Sequence, residues 1–485
     1  MLPVLAGITL LSFGLIPGAS GLERRGDGIV RAPVRAIPGD PLPNLRGRQN
    51  AIDVINQLNG TRYAVEVQLG TPPQTQYLIL DTGSPDTWFN PTCATSRSAA
   101  ECRRYPRFDL DSSSTLVDLR QSSLLRYGSG QAMVEWYRDT LTIGSAEIKN
   151  QIVGINVDSE KIPLGILGVS PSVHGTNDYD YVLDSMVKQG LIKSRAFSLD
   201  LRSVENPNGA IIFGGIDTGK YIGSLAKLPI LPQKQSPRGG NRYYVSMTGV
   251  GLTLPDGTIL KSEAIETPVF LDSGATLSHL PTRIVQALAN SFNDSAYDPE
   301  MGYYYLPCSA TQLNASIDFY FGDKGISVPF KEFIWQVGPY CLLGAIAEDT
   351  EPILGDTFLR AAYVVFDQDQ RNLHIAQAAN CGENLVPIGT GKNAVPSLTG
   401  DCTELPTPTH TGSKSGSDKL DVTGTHAPTA TITGVVPDLD DGPGPAADGT
   451  ESTGPSETNA APAVGKSGMG LAAAVAVANV VAFAL

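Results

Sequence analysis

Short runs that are either apolar throughout or alternate apolar with polar positions recur along the body of the chain. Such runs occupy residues 63–69, 77–80, 135–143, 211–213, 243–247, 317–321 and 363–366, and clusters of Gly, Pro, Asn and Asp separate them. This is the pattern of strands closed by turns. Helical spacing is confined to two brief stretches, 179–189 and 283–292. The body, from about residue 60 to about 385, is therefore predicted to be β-rich. Two uncharged runs lie outside it. Residues 2–22 end in the small-residue patch Gly18-Ala19-Ser20-Gly21, the layout of a secretory signal peptide cleaved near residue 20. Residues 470–485 follow a polar spacer and the small residues Asn459-Ala460-Ala461. They are shorter than the ~20 residues that span a bilayer. A glycosylphosphatidylinositol (GPI) attachment signal fits this layout better than a tail-anchoring helix, with Asn459 as the attachment residue.

One pair of runs is more alike than the rest. Leu78-Ile79-Leu80 leads into Asp81-Thr82-Gly83-Ser84, and Val269-Phe270-Leu271 leads into Asp272-Ser273-Gly274-Ala275. Each is followed at similar spacing by Ile-Leu-Gly, at Ile166-Leu167-Gly168 and at Ile353-Leu354-Gly355. A lone Asp-Thr-Gly is a common turn. Two copies after matching strands, each with its spaced Ile-Leu-Gly, make an internal repeat.

Composition narrows the chemistry. The chain has 485 residues, a net charge of −14 and a pI near 4.8, which argues against binding nucleic-acid phosphates. Of five histidines, His410 and His426 lie in a low-complexity segment, leaving His174, His279 and His374. There is no Gly-x-Ser-x-Gly and no spacing of metal ligands, so neither a serine hydrolase nor a metal site is expected. Gly465-Lys466-Ser467 is not a phosphate loop, because residue 460 is Ala where that loop needs Gly. Residues 403–459 are rich in Thr, Ser, Pro and Gly and lack aromatic residues and Cys. Such a segment cannot build a core and suits an O-glycosylated stalk. Residues 21–50 carry six arginines against three acids. A basic segment leading an acidic body fits an inhibitory propeptide, and composition alone fits an exposed arm equally.

The repeat predicts what the site can do. Two facing halves would bring Asp81 and Asp272 together at a pseudo-symmetry axis. Carboxylates in contact cannot both ionise cheaply, so the pair shares a proton and titrates as a unit. The ionised oxygen can take a proton from water while the protonated one donates to a substrate carbonyl. Gly83 and Gly274 allow close approach of the two backbones, and Thr82 and Ser273 supply hydroxyls that can bond across the axis.

These residues resemble the catalytic motifs of pepsin-like aspartic endopeptidases, over essentially the whole body. The resemblance implies an all-β, bilobal fold with a cleft between two pseudo-symmetric lobes and a β-hairpin flap. It implies that Tyr127, Gly128 and Ser129 form the flap tip, that Trp88 bonds the flap tyrosine, and that Ala275 and Thr276 line the substrate site. The late segment Ile353-Leu354-Gly355-Asp356-Thr357-Phe358-Leu359-Arg360 matches as well. With the stalk and the tail, the chain looks most like fungal GPI-anchored, yapsin-type members. Similar proteins pair cysteines placed as Cys93–Cys102 and Cys308–Cys341 are here, which leaves Cys381 and Cys402 for each other. Asn59, Asn293 and Asn314 begin N-glycosylation sequons.

The expected organisation is a signal peptide (1–20), a basic propeptide (21–50), an N-terminal β lobe (60–230), a C-terminal β lobe (231–385), a Ser/Thr/Pro/Gly-rich stalk (386–459) and a GPI-attachment signal (460–485). The expected activity is hydrolysis of peptide bonds at acidic pH by a monomer. That monomer would be made as a zymogen, secreted, and held at the outer face of the cell membrane or in the wall. It would use no cofactor or metal and bind no nucleic acid. A catalytically inactive pepsin-like binding protein and a structural wall glycoprotein are the competing readings. One departure from the motif stands out: Ser84 can donate a hydrogen bond to Asp81, and Ala275 cannot do the same for Asp272.

Overall fold

A computed structural model describes residues 28–37, 62–90, 105–128, 130–160, 164–173, 179–205, 208–299, 301–337, 340–403 and 420. These residues build a mostly β, bilobal molecule with few short helices. The expected signal peptide, the expected GPI signal and most of the expected stalk lie outside them.

The repeat read from the sequence is a repeat of structure. Strand Gln74–Asp81 pairs in parallel with Gly165–Gly168, setting Leu80 against Leu167 and Asp81 against Gly168. Strand Thr267–Leu271 pairs in parallel with Ile353–Leu354, setting Leu271 against Leu354. Leu78 and Leu80 are buried with Ile79 half-buried between them, and Val269, Phe270 and Leu271 are all buried, so each strand reads as an apolar run that stops at the Asp. The first unit belongs to a 13-stranded sheet and the second to a five-stranded sheet.

A shared sheet joins the halves. Ala196–Asp200, from the first half, pairs antiparallel with Ala362–Asp367, from the second, and Phe197 stacks on Phe366 at 4.7 Å between ring centroids. Alternation splits the residues of Ala362–Asp367 between two cores. Ala362, Val364 and Phe366 join the main core with Leu80, Leu271 and Leu354, while Tyr363 and Val365 join a separate cluster on the other face.

Two segments differ from their expected character. Val30–Ile37, inside the basic stretch 21–50, is a strand between Asn208–Phe213 and Arg62–Leu69, with Ala32 and Val34 buried. Judging the stretch by charge passed over its alternation: Val30, Ala32 and Val34 point inward while Arg31 reaches Glu383 at 3.8 Å. The start of the expected stalk is also packed. Leu385–Pro387 pairs with Gly215–Asp217, and Ile388, Ala394 and Val395 bury themselves against Tyr221, Tyr363 and Val365. These apolar residues precede the low-complexity composition, so 386–403 folds onto the back of the shared sheet.

Candidate active site

Both motif strands end in the same small volume. Asp81 and Asp272 are each only 6% exposed. Their contact is enforced by glycine. A Cβ on Gly83 would lie 2.7 Å from Asp272 Oδ2, and one on Gly274 would lie 2.8 Å from Asp81 Oδ1. Any side chain at either position would displace the carboxylate opposite. Each Gly also turns its amide onto its own motif's acid, Gly83 N to Asp81 Oδ1 at 2.7 Å and Gly274 N to Asp272 Oδ1 at 2.8 Å.

The middle residues of the two motifs lock the halves together. Thr82 Oγ1 donates to Leu271 O at 2.8 Å and accepts from Ser273 N at 2.9 Å. Ser273 Oγ donates to Leu80 O at 2.7 Å and accepts from Thr82 N at 3.2 Å. Four buried bonds thus cross between segments 191 residues apart in sequence. Deleting either hydroxyl would leave buried backbone groups unpaired, a cost of roughly 1–3 kcal/mol per group.

The two acids differ in surroundings. Ser84 Oγ donates to Asp81 Oδ2. Ala275, at the matching place, presents a methyl group. Burial, followed by the nearby charge of Asp81, raises Asp272 well above the ordinary carboxylate range. A proton is therefore retained at the pair, and Asp272 is its better-favoured holder.

Over the dyad stands the hairpin formed by Val117–Tyr127 and Gly130–Ile143, which closes at the pair Tyr127 and Gly130. Tyr127 Oη accepts a hydrogen bond from buried Trp88 Nε1 at 2.8 Å. Burial pushes the Tyr127 hydroxyl far up, so it stays neutral. Gly128 lies at the tip, and Ser129 lies outside the described residues. Thr276 is buried beside Ala275, and its carbonyl accepts from Thr357 N at 3.2 Å.

The sequence reading passed over one acid. Asp356 follows the second Ile-Leu-Gly, where Val169 follows the first. It is 1% exposed, its amide donates to Ala275 O at 2.8 Å, and its Oδ1 has no hydrogen-bond partner. Burial holds it well above the ordinary range, against the pull of Arg360. The signal was present as a polar mismatch between the two copies, beside that of Ser84 and Ala275. Burial lowers His279, seven residues past Asp272, to about 4, and its Nε2 has no hydrogen-bond partner.

Cys308–Cys341 and Cys381–Cys402 are bonded, with Cα separations of 5.2 and 5.5 Å. Asn293 and Asn314 are exposed. Cys93, Cys102, Asn59 and Asn459 lie outside the described residues. Among the described residues no helix is long and apolar enough to cross a membrane, and no group of three or more His, Cys, Asp or Glu could hold a metal.

Similarity to known proteins runs over the same region. The probable aspartic-type endopeptidase opsB of Aspergillus fumigatus is 35% identical over 390 residues, which cover 75% of this chain and 79% of that protein. Secreted aspartic protease 8 of Candida albicans is 35% identical over 328 residues, covering 66% of this chain and 76% of that protein. Aspartic proteinase yapsin-3 of Saccharomyces cerevisiae is 33% identical over 358 residues, covering 69% of this chain and 68% of that protein. A family model described as eukaryotic aspartyl protease matches residues 62–378, both Asp-Thr/Ser-Gly motifs included, and the chain accordingly belongs to that family as a pepsin-like aspartic endopeptidase.

Proposed function

We propose that Asp81 and Asp272 hydrolyse peptide bonds in acid by sharing one proton, a behaviour for which aspartic proteases are themselves the standard example. The observation that carries this is the reciprocal seating of Gly83 on Asp272 and Gly274 on Asp81. Asp81, which accepts hydrogen bonds from Ser84 and Gly83, takes a proton from the attacking water. Asp272, kept protonated by burial and by its neighbour, donates to the carbonyl oxygen as the tetrahedral intermediate forms. As the C–N bond breaks, Asp81 passes its proton to the leaving nitrogen and Asp272 takes one back from a hydroxyl of the intermediate, which leaves a carboxylic acid and an amine and restores the starting state. Tyr127, neutral and pinned by Trp88, closes over the substrate and excludes water. Asp81→Asn and Asp272→Asn should each reduce cleavage of a denatured protein at acid pH by at least about a thousandfold, and a statine-type inhibitor should block the parent enzyme. Tight peptide binding without cleavage by the parent would establish the inactive binding protein instead.

The setting of the enzyme is part of the same proposal. An apolar leader, a Thr/Ser/Pro/Gly-rich segment and residues 460–485 support secretion, a glycosylated stalk and a lipid anchor at Asn459. The Candida relative is named as secreted. The basic stretch supports a zymogen form, with Val30–Ile37 seated in the sheet beside Arg62–Leu69. Release of the enzyme from cells by a phosphatidylinositol-specific phospholipase tests the anchor, and unchanged retention refutes it.

A further inference from the structure

Tyr137, Leu141 and Ile143 root the base of the hairpin in the main core, but the part nearer its tip packs apart from that core. Its Leu125, Ala132, Val134 and Trp136 form a small separate cluster with Trp88 and Ile166, bordered by Tyr127 and Tyr179. Tyr179 is the joint of that cluster. Its ring lies 5.2 Å from Trp136 and meets Tyr181 edge-on at 4.8 Å. Tyr181 caps helix Val182–Lys188, with its amide bonded to Asp184 Oδ2 at 3.1 Å, so the aromatic pair is fixed from behind. The Tyr179 hydroxyl donates to Asp86 Oδ1 at 2.7 Å.

Asp86 belongs to the loop that leaves Asp81. Its backbone is clamped by the first Ile-Leu-Gly: a Cβ on Gly168 would come within 2.5 Å of Asp86 O and 2.7 Å of Asp86 N. The carboxylate is also close enough to the Tyr127 hydroxyl to be the strongest charge acting on it. One side chain from the loop after Asp81 thus bonds the ring beneath the second strand and acts electrostatically on the tyrosine at the hairpin's tip.

We infer that Asp86 and Tyr179 are positioning residues for substrate capture: Asp86 holds the Tyr179 ring as a fixed rest for Trp136, and this sets the height of Tyr127 above the dyad. The inference rests on the dyad reading above. It assigns to a single hydrogen bond, remote from the reacting atoms, control over how well the closed hairpin grips a peptide.

The test uses the full chain and a peptide long enough to fill the cleft. Tyr179→Phe keeps the ring and removes the hydroxyl; Asp86→Ala removes the acceptor; Asp86→Asn keeps an acceptor oxygen. Loss of one charge-assisted bond predicts that Tyr179→Phe and Asp86→Ala each raise KM about three- to tenfold, with kcat changed less than about twofold. Asp86→Asn should restore a KM near that of the parent. The Tyr179→Phe, Asp86→Ala double variant should be no worse than the worse single, because both remove the same bond. Parental KM in Tyr179→Phe, a loss in Asp86→Asn equal to that in Asp86→Ala, or additive losses in the double variant would each overturn the inference. If Asp86→Ala fails to fold, Tyr179→Phe and Asp86→Asn decide alone. Failure of the dyad reading is distinguishable, since it would show as full activity in Asp81→Asn whatever the Tyr179 variant does.

Discussion

At the scale of residues, the two halves of the site are equal in backbone and unequal in hydrogen bonding. Gly, amide and Asp repeat faithfully, while Ser84 donates to Asp81 and position 275 offers Asp272 only a methyl group. A carboxylate short of a donor is harder to ionise. Ala275→Ser adds that donor, which should make Asp272 easier to ionise and move the alkaline limb of the kcat/KM profile, where the dyad loses its retained proton, downward by about half a pH unit or more. An alkaline limb that stays in place or moves up refutes the assignment. The dyad, its glycines and the cross-bonding hydroxyls were legible in sequence because they occur twice. Asp356 and Asp86 were not singled out, because a buried acid and an exposed one look alike until the surroundings are known.

At the scale of elements, strand patterns predicted the paired units well and the margins poorly. The margins are where a sheet recruits a neighbour. Val30–Ile37 is a strand because Asn208–Phe213 and Arg62–Leu69 leave a place between them, and its weak Val-Ala-Val alternation suffices once both sides are hydrogen-bonded. The segment after Ala378, beyond the family match, behaves as a clasp. Leu385–Pro387 adds to Gly215–Asp217, Gly400 N bonds Gly223 O at 2.8 Å, and Cys381–Cys402 closes the loop over 21 positions. Its apolar side chains cover Tyr221, Tyr363 and Val365, which would otherwise face water. Closing a loop of that length is worth about 3 kcal/mol by the chain-entropy relation. Replacing both Cys381 and Cys402 by Ser should lower the thermal midpoint by several degrees and leave the acid-limb position unchanged. A midpoint within about a degree of the parent would show that packing alone holds the clasp.

At the scale of the whole molecule, buried titratable groups tie stability to pH with opposing signs. Burial raises Asp200 to about 6 and lifts Asp272 and Asp356 well above 3.8, so the native state keeps protons that the unfolded chain releases above about 4. Each of these acids makes the fold less stable as pH rises. His279 and His374 are held down to about 4 from 6.5, so over that interval the unfolded chain binds protons that the native state refuses. Each histidine makes the fold more stable as pH rises. The acids and the histidines therefore oppose each other between about 4 and 6, and above 6.5 the histidines cease to contribute. The net charge of −14 at pH 7 adds repulsion of the same sign as the acids. The thermal midpoint should therefore be highest in acid and fall toward neutrality. Replacing His279 and His374 by Gln should steepen the fall between pH 4 and 6.5. A midpoint that climbs from pH 5 to 7 would contradict this balance.

The amino-acid sequence by itself determined that two like units exist, that each carries an aspartate at the end of a buried strand, and that a general acid and a general base are both available from one residue type. Those properties are local: alternation, a repeated tetrapeptide and its spaced Ile-Leu-Gly suffice to state them. Only the tertiary structure decided which backbone lies against which carboxylate, which acids keep their protons, and where Val30–Ile37 and residues 386–403 pack. These depend on burial and on contacts between segments far apart in the chain, and the free energy of a charge or an apolar face is set by what surrounds it once the chain has closed.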